Sequence, residues 1–223
     1  IHQIERNAPG SVSVSLPKAK PNTPQNSFEN LQVLSITHPA LIKYLGERCI
    51  DIEIARTVCK ELHFDTRGKH YFGIGFPNIA GGYEIRNPFF KGGITPKDIS
   101  LFHNEESKQS CFVFEGFIDF LSFMMLRRKE NDGLKRQDYL VLNSVSNIQK
   151  ALEPLSHYEN VQCFLDNDEA GRNAYKQLSE ELGSSVLDSS SLYSDFKDLN
   201  DYLCAEFKHS EKAENKKIKG IKL

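Results

Sequence analysis

The sequence predicts an α/β protein with a parallel four-stranded sheet flanked by helices and preceded by a small α+β lobe. In the C-terminal half, apolar runs of strand type alternate with helix-like segments, which is typical of parallel strands joined by right-handed crossovers. Two of these runs lead directly into carboxylates and a glycine. The N-terminal part lacks this alternation. We expect strands near 111–115, 139–142, 161–166 and 184–187, and helices near 117–130, 146–157, 170–182 and 198–206.

The chain divides into four predicted segments. Residues 1–30 are rich in Pro, Ser, Asn and Lys, a composition typical of a linker, and we expect them to tether the rest to sequence upstream of Ile1. The small lobe is expected over 31–100 and the parallel-sheet domain over 101–208. Residues 209–223 are Lys-rich without an apolar period, which predicts a disordered tail with at most weak attraction to nucleic acid.

The small lobe begins with two predicted helices. Thr37-His38-Pro39 indicates a helix start, with Thr37 or His38 at the cap and Pro39 in the first turn. Asp51 would cap a second helix. The apolar stripe of that second helix is predicted to consist of Ile54, Val58 and Leu62.

A hairpin is predicted over residues 69–90, with its turn at 77–82. Basic residues and aromatic rings are interleaved around it. This favours a surface for single-stranded nucleic acid, where charge holds phosphates and rings stack on bases. Rings at alternating positions also build the core of an ordinary sheet, and the residues alone leave both readings open. The cations are Arg67, Lys69, Arg86 and Lys91, and the rings are Tyr71, Tyr83, Phe89 and Phe90.

Carboxylates follow two of the predicted parallel strands. Glu115 follows the first, and Asp166 and Asp168 follow the third. Open parallel sheets carry their ligand chemistry at this edge, so we expect the three side chains to converge there. Because they are two residues apart, Asp166 and Asp168 would leave an extended strand end from the same face. Three carboxylates together raise each other's pKa unless a cation neutralises them, and oxygen ligands suit Mg²⁺ or Mn²⁺.

The ordered set of motifs resembles the Toprim domain, which bacterial-type primases, topoisomerases and several nucleases share. The motifs are Glu115-Gly116, then Asp166-x-Asp168-x-x-Gly171, then Lys197-Asp198, and the resemblance covers roughly Ser110 to Phe207. It implies phosphoryl transfer with a divalent metal. The segment from Tyr83 to Gly92 is similar, more loosely, to the lobe that precedes this domain in primase-like proteins of bacterial mobile elements, where it contacts template and nascent strand.

The resemblance also implies roles for individual residues. Glu115 would act as acid or base with a share in the metal. Asp119, one helical turn further on, would orient Glu115 or hold a second metal through water. The expected catalytic residues are Glu115, Asp119, Asp166 and Asp168, and the expected metal ligands are Glu115, Asp166, Asp168 and Asp198.

Further contacts with phosphate or nucleic acid are predicted from position. Asn143 follows the second strand and would contact a phosphate or a metal-bound water, whereas Ser144 and Ser146 nearby are typical helix caps. Arg172 opens the helix after Asp168, where a cation can reach a phosphate at the helix N-terminus. The full predicted set is Arg67, Lys69, Arg86, Lys91, Asn143, Arg172 and Lys197.

The favoured function is a primase-like nucleotidyltransferase core that synthesises short primers on single-stranded DNA from nucleoside triphosphates with Mg²⁺ or Mn²⁺. A replicative helicase is a further expected partner. The alternatives are a metal-dependent nuclease with the same carboxylates and a non-catalytic nucleic-acid-binding module. A topoisomerase is least favoured because the chain lacks domains that cleave and pass strands. Relatives often carry an upstream zinc-binding module, and this chain has no such ligand cluster, so we expect template recognition to need the upstream region.

The composition limits the partners and the cellular locations that we expect for the protein. Residues 99–209 carry 11 basic and 19 acidic residues, so affinity for nucleic acid must come from a local basic ridge or from bridging metal. The five cysteines form no Cys-x-x-Cys pair and are expected to be reduced thiols of a cytoplasmic protein, with Cys111 and Cys163 inside core strands. The most apolar stretch, 111–126, is interrupted by Glu115 and Asp119, so no membrane partner is expected.

Overall fold

The computed structural model describes residues 28–104, 109–128 and 137–220. Most of the predicted linker and the last three residues of the predicted tail lie outside these ranges. The linker prediction ends too late, because Glu29 and Asn30 already belong to the first strand.

The first lobe is a five-stranded antiparallel sheet in sequential order, with two helices packed on one face. The predicted hairpin is present as its third and fourth strands, which pair antiparallel from Ile74 opposite Arg86 to Pro77 opposite Tyr83. The elements are β1 (Glu29–Leu34), α1 (Pro39–Glu47), α2 (Ile52–Val58), β2 (Lys60–Thr66), β3 (Lys69–Pro77), β4 (Tyr83–Asn87) and β5 (Phe90–Ile94).

Both predicted helix starts are confirmed. The His38 side chain accepts a hydrogen bond from the backbone N–H of Ala40, and Asp51 accepts one from that of Glu53. The second helix is shorter than predicted, since α2 ends at Val58 and Leu62 is a fully buried residue of β2. Leu62 pairs across the sheet with a residue of β3, and this pairing overrides its helical spacing from Val58.

The second sheet contains the four predicted parallel strands, flanked by helices at the predicted positions. It also carries a fifth, antiparallel edge strand, Ser100–Phe102, that the sequence did not predict. The elements are β6 (Ser100–Phe102), β7 (Ser110–Phe114), α3 (Phe117–Arg128), β8 (Asp138–Val141), α4 (Ile148–Leu155), β9 (Asn160–Phe164), α5 (Glu169–Leu182), β10 (Val186–Asp188) and α6 (Leu199–Gly220). The strand order is β10-β9-β7-β8-β6.

One hydrophobic core joins the two sheets. It combines buried residues of α1, α2 and β3 with residues of α3, β7 and α6. At its centre the Phe76 ring of β3 stacks on Phe117 of α3, with ring centroids 5.1 Å apart. Cys111 and Cys163 are fully buried in the second sheet, as predicted. The carboxyl edge of the parallel sheet faces the first lobe, since residues that follow β7 and β9 line one cavity with residues of β4 and β5.

The C-terminal segment differs from the prediction. The backbone of α6 stays helical to Gly220, where a disordered tail was predicted from residue 209. Lys, Glu and Ala dominate 211–217, and these are strong helix formers, so helix propensity continues although the apolar period stops. Among the described residues, no helix is both long enough and apolar enough to cross a membrane.

Candidate active site

A cavity of about 610 Å³ lies between the two sheets and is lined by opposite charges on its two sides. The second sheet contributes carboxylates, and the first lobe contributes mainly cations. The acidic side consists of Glu115, Asp119, Asp166 and Asp198, with Lys197, Asn143 and Asn200 beside them. The side formed by the first lobe and the segment after it consists of Arg48, Arg86, Lys91 and Lys97, with Glu84 among them.

Glu115 and Asp166 converge because they follow neighbouring parallel strands. Phe114 at the end of β7 lies opposite Phe164 at the end of β9, so the two chains leave the sheet side by side. The backbone N–H of Asp166 donates to the Glu115 carboxylate, which places the two residues in direct contact. The predicted meeting of these two residues at the sheet edge is therefore present.

The electrostatics of the pair favour a cation. Burial, followed by the charges of Glu115, Asp198 and Asp168, raises the pKa of Asp166 to about 7. Burial and the charge of Asp168 also raise the pKa of Glu115. Lys197 lowers the pKa of both groups, but by less than burial and the neighbouring carboxylates raise it.

A divalent metal fits this arrangement. Oε2 of Glu115 is buried and has no hydrogen-bond partner among the described residues, and a buried acceptor left in this state costs about 1–3 kcal/mol. No three His, Cys, Asp or Glu side chains in the described ranges are grouped so that they could hold a metal on their own. Mg²⁺ usually takes only one or two carboxylates and completes its shell with waters and substrate phosphates, so Glu115 and Asp166 suffice.

Asp168 has a different position from the one its spacing predicts. The strand β9 ends at Phe164, and Asp168 is the N-cap of α5, where its Oδ1 accepts from the backbone N–H of Gly171 at 3.0 Å. It does not line the cavity, although its charge acts on both Glu115 and Asp166. Asp168 therefore lies at the start of α5 and outside the cavity lining, and its part in holding a metal stays a prediction.

The loop that carries Asp166 is fixed by its neighbours. A Cβ on Gly171 would lie 2.1 Å from the carbonyl oxygen of Asp166, so only glycine lets α5 start this close to the loop. Asn167 donates from Nδ2 to the carbonyl oxygens of Tyr193 and Phe196, and its backbone N–H donates to that of Lys197 at 2.7 Å. These bonds bring the Lys197-Asp198 segment to the cavity, and the sequence analysis missed the role of Asn167.

Asp119 and Asn200 connect the site to the first lobe. Asp119 is half-buried in the first turn of α3, and loss of hydration, followed by the charges of Asp198 and Asp166, raises its pKa well above the usual range. Its Oδ1 accepts from the backbone N–H of Asn200 at 3.4 Å. The Asn200 side chain donates to the Arg48 carbonyl and accepts from the Arg48 guanidinium. Asp119 was predicted to orient Glu115, and the contact that the structure shows is with Asn200 instead.

The predicted cations fall into two groups. Arg86 and Lys91 pair across β4 and β5 and line the cavity, and the Arg86 guanidinium lies over the Phe117 ring at 5.8 Å from its centroid. Burial lowers the pKa of Arg86. Arg67, Lys69 and Arg172 do not line the cavity. Of these, Arg172 instead donates to the carbonyl oxygen of Asn167 at 3.1 Å.

Comparison with known families identifies the second sheet. Residues 112–203 match the family described as Toprim-like. Residues 112–203 form a Toprim-like domain. Residues 30–95, which make up most of the first lobe, match a domain of unknown function, DUF8464. No curated protein sequence matches the chain.

The Toprim-like domain and the lobe before it together have a primase-like fold. The chain is similar to the primase fragment of the bacteriophage T7 primase-helicase protein, with 19% identity and a TM-score of 0.55 over 89% of this chain and 81% of that one. It is also similar to a structure of T7 lagging-strand DNA polymerase with primase domains bound to an RNA/DNA hybrid and dTTP, with 19% identity, a TM-score of 0.54 and coverage of 84% and 91%. The chain is also similar to the Aquifex aeolicus primase (zinc-binding and RNA polymerase domains), with 17% identity and a TM-score of 0.50 over 70% of this chain and 50% of that one.

The side-chain oxygen of Asn143, in the Toprim-like domain, can accept a hydrogen bond from a bound ligand or water. Its Nδ2 donates to the carbonyl oxygen of Asp98 and to Oγ of Ser100, each at 2.9 Å. Ser100 Oγ donates its own hydrogen to the carbonyl oxygen of Pro77, which fixes the orientation of the amide. Oδ1 of Asn143 is buried without a partner among the described residues. A hydroxyl or a metal-bound water satisfies such an atom, whereas a phosphate would repel it.

Arg48 and Lys97 also line the cavity, and no sequence pattern predicts them there. Arg48 follows α1 in a segment without any motif, and Lys97 lies in the connection between the sheets. Neither position carries a local signal, because both reach the Toprim-like domain only through the contact between the lobes. Ser144 caps a short 3₁₀ turn at Val145–Asn147, so the helix-cap interpretation is confirmed for it.

Proposed function

We propose that the chain is a primase-like nucleotidyltransferase core that joins nucleotides into short primers on single-stranded DNA with Mg²⁺ or Mn²⁺. The observation that carries the proposal is the cavity in which Glu115 and Asp166 stand in contact opposite the cations of the first lobe. Phosphoryl transfer requires positioning and charge stabilisation more than covalent chemistry, and this cavity offers both.

The residues divide the work as follows. Arg86 and Lys197 bind the phosphates of the incoming nucleotide, and Lys91 contacts the nucleic-acid backbone. Glu115 takes the proton from the attacking 3′-hydroxyl. That oxygen bonds to the α-phosphorus while the bond to pyrophosphate breaks, and the leaving anion stays beside the lobe cations.

Glu115 and Asp166 would hold the divalent metal, with Asp198 nearby in the cavity. The bound ion supplies charge neutralisation at the phosphate oxygens. Asp168 acts indirectly: it caps α5 and so fixes the loop that carries Asp166. Asp119 is a positioning residue, since its contact is with Asn200 at the junction of the lobes.

A partner and a cellular location are also proposed for the protein. One similar structure is a fragment of a primase-helicase protein, and we propose a replicative helicase as the partner of this chain too. The reduced thiols expected from the sequence agree with a cytoplasmic location. An origin in a mobile element stays a prediction from the sequence of the first lobe.

Primer extension tests the proposal. A short RNA annealed in advance to a DNA template removes the need for initiation and for upstream template recognition. With nucleoside triphosphates and Mg²⁺ or Mn²⁺, we expect the protein to lengthen the RNA according to the template. Asp166→Asn and Glu115→Gln should each lower the rate about 100-fold or more, whereas Asp195→Asn, at an exposed carboxylate outside the cavity, should not change it.

The alternatives give different products in the same assay. Metal-dependent shortening of the DNA or RNA that is lost in Asp166→Asn would replace the proposal with a nuclease. Binding of the annealed template without lengthening or shortening, in both metals, would favour the non-catalytic module.

A further inference from the structure

The tips of two hairpins lie at the same end of the first sheet. Thr66 pairs with Lys69 at the start of β3, and β4 pairs with β3 only as far as Arg86 opposite Ile74. Both turns therefore lie at the same end of the sheet, with the β2–β3 turn several residues of β3 further out. The first turn carries Arg67, and the second consists of residues 87–90. This end of the sheet therefore gathers predicted cations and aromatic rings in one place.

Three of the four aromatic rings predicted around the hairpin are occupied in packing. The Tyr71 ring stacks on Phe64 with centroids 5.9 Å apart, and Tyr83 packs against the small core of the first lobe. The Phe90 ring covers Gly92, where a Cβ would lie 2.2 Å from the tip of the ring. Tyr71 and Phe90 nevertheless remain 40% and 43% exposed, so this packing covers only part of their surface.

Phe89 is different. Its side chain is 97% exposed and forms no ring contact with the residues that the structure describes. The backbone beneath it is nevertheless held: its N–H donates to Oδ1 of Asn87 at 2.9 Å, and Nδ2 of Asn87 donates to the carbonyl oxygen of Phe72 at 2.8 Å. The ring is thus presented to solvent from a turn that is tied to the neighbouring strand.

The exposure of Phe89 is significant because the residue lies close to a cation of the cavity. Single exposed apolar side chains are common and need no explanation by themselves. Phe89, however, stands two residues before Lys91, which lines the cavity and pairs with Arg86. Phe89 lies in the β4–β5 turn, and two residues of chain span at most about 7 Å, so a base on the ring and a phosphate on Lys91 can belong to the same or to adjacent nucleotides.

We propose that Phe89 stacks on a base of single-stranded DNA whose phosphates are bound by the cations of the first lobe, and that it leads the template strand into the cavity. The inference rests on the proposed function and names the contact by which the first lobe holds its template. Single-strand binding combines a cationic path for the backbone with rings on which bases stack, and it does not require a particular sequence.

The absence of tryptophan from the sequence provides a direct probe. Phe89→Trp introduces a single tryptophan, whose emission should fall when an oligothymidylate binds and stay constant with an abasic oligomer of equal length. Phe89→Ala should bind the oligothymidylate about 5- to 100-fold more weakly by fluorescence anisotropy. Phe89→Tyr should retain the affinity, since the ring is kept. Leu192→Ala is the matched control, because Leu192 is another exposed apolar residue, outside the cavity lining.

The outcomes separate the inference from the function on which it rests. If the wild-type protein binds the oligothymidylate and Phe89→Ala binds it equally well, stacking by Phe89 is wrong and the proposed function stands. Equal binding of thymine and abasic oligomers by the wild-type protein has the same meaning. If the wild-type protein binds no single-stranded DNA, both the inference and the template-directed function fail.

Discussion

Burial of Asp166 and its repulsion by neighbouring carboxylates should lower the unfolding free energy of the metal-free protein. The substitution Asp166→Asn should remove this penalty. The pKa of Asp166 is about 7 because the group is partly buried beside Glu115, Asp198 and Asp168. Between its usual pKa of 3.8 and about 7, the folded protein keeps a proton that the unfolded chain has released. The stability of the metal-free wild-type protein should therefore fall as the pH rises through this window.

The size of the effect follows from the shift. A change from 3.8 to about 7 corresponds at most to about 4 kcal/mol of unfolding free energy. Asp166 is only half-buried, so solvent screening reduces this, and we expect about 2 kcal/mol. Asparagine has nearly the same shape and carries no charge. Asp166→Asn should thus match the wild-type protein at about pH 4 and exceed its stability by about 2 kcal/mol at about pH 8.

Urea denaturation with a chelator, and then with Mg²⁺, measures both parts of the argument. Mg²⁺ should stabilise the wild-type protein at about pH 8, by about 2.7 kcal/mol at 100 times its Kd, and should leave Asp166→Asn nearly unchanged. Asp195→Asn, at an exposed carboxylate, is the control and should behave as the wild-type protein does. If metal-free Asp166→Asn were no more stable than the wild-type protein at about pH 8, the repulsive carboxylate site would be refuted.

Three further substitutions test the frame around the site. Gly171→Ala places a Cβ against a main-chain carbonyl and should lower the unfolding free energy, measured by urea denaturation, by about 1–3 kcal/mol. The same substitution should also weaken the binding of Mg²⁺. Gly46→Ala is the control: no atom lies within 4 Å of the new Cβ, so its unfolding free energy should stay within about 1 kcal/mol of the wild-type value. Asn200→Ala leaves the Arg48 carbonyl unpaired and should lower the unfolding free energy by about 1–3 kcal/mol; a loss under about 0.5 kcal/mol would contradict the link between the lobes. Arg86→Met should weaken the binding of a nucleoside triphosphate about tenfold by calorimetry, and unchanged affinity would remove Arg86 from the phosphate site.

The sequence could predict the acidic half of the site because topology carries that information. Apolar runs that end in carboxylates, alternating with helices, imply parallel strands whose ends share one edge. Glu115 and Asp166 meet for this reason alone. The same argument does not place Asp168 in the cavity lining, because Asp168 is the N-cap of α5 and its carboxylate accepts a hydrogen bond from the first turn of that helix.

The edge strands could not be predicted, for a different reason. Every residue of β1 is exposed, so the strand shows no alternation of burial, and β5 contains two glycines. Strands of this kind exist because they pair with β2 and β4. Strand preference depends on the neighbouring strand more than on the residue, and a local pattern does not contain it.

The opposing charges of the cavity depend on a contact that no periodicity encodes. Asn200 and Arg48 are 152 positions apart, yet their hydrogen bonds hold the cationic lobe against the carboxylates. The two segments with family matches, 30–95 and 112–203, each contain one side of the cavity. Arg48, Arg86 and Lys91 lie in the first, together with Glu84, and Glu115, Asp119, Asp166 and Asp198 lie in the second. The Toprim-like domain alone would keep the acids and lose these cations. The proposed phosphoryl transfer would therefore require both segments in one folded unit, and it would depend on the junction at Asn200 as well as on Asp166.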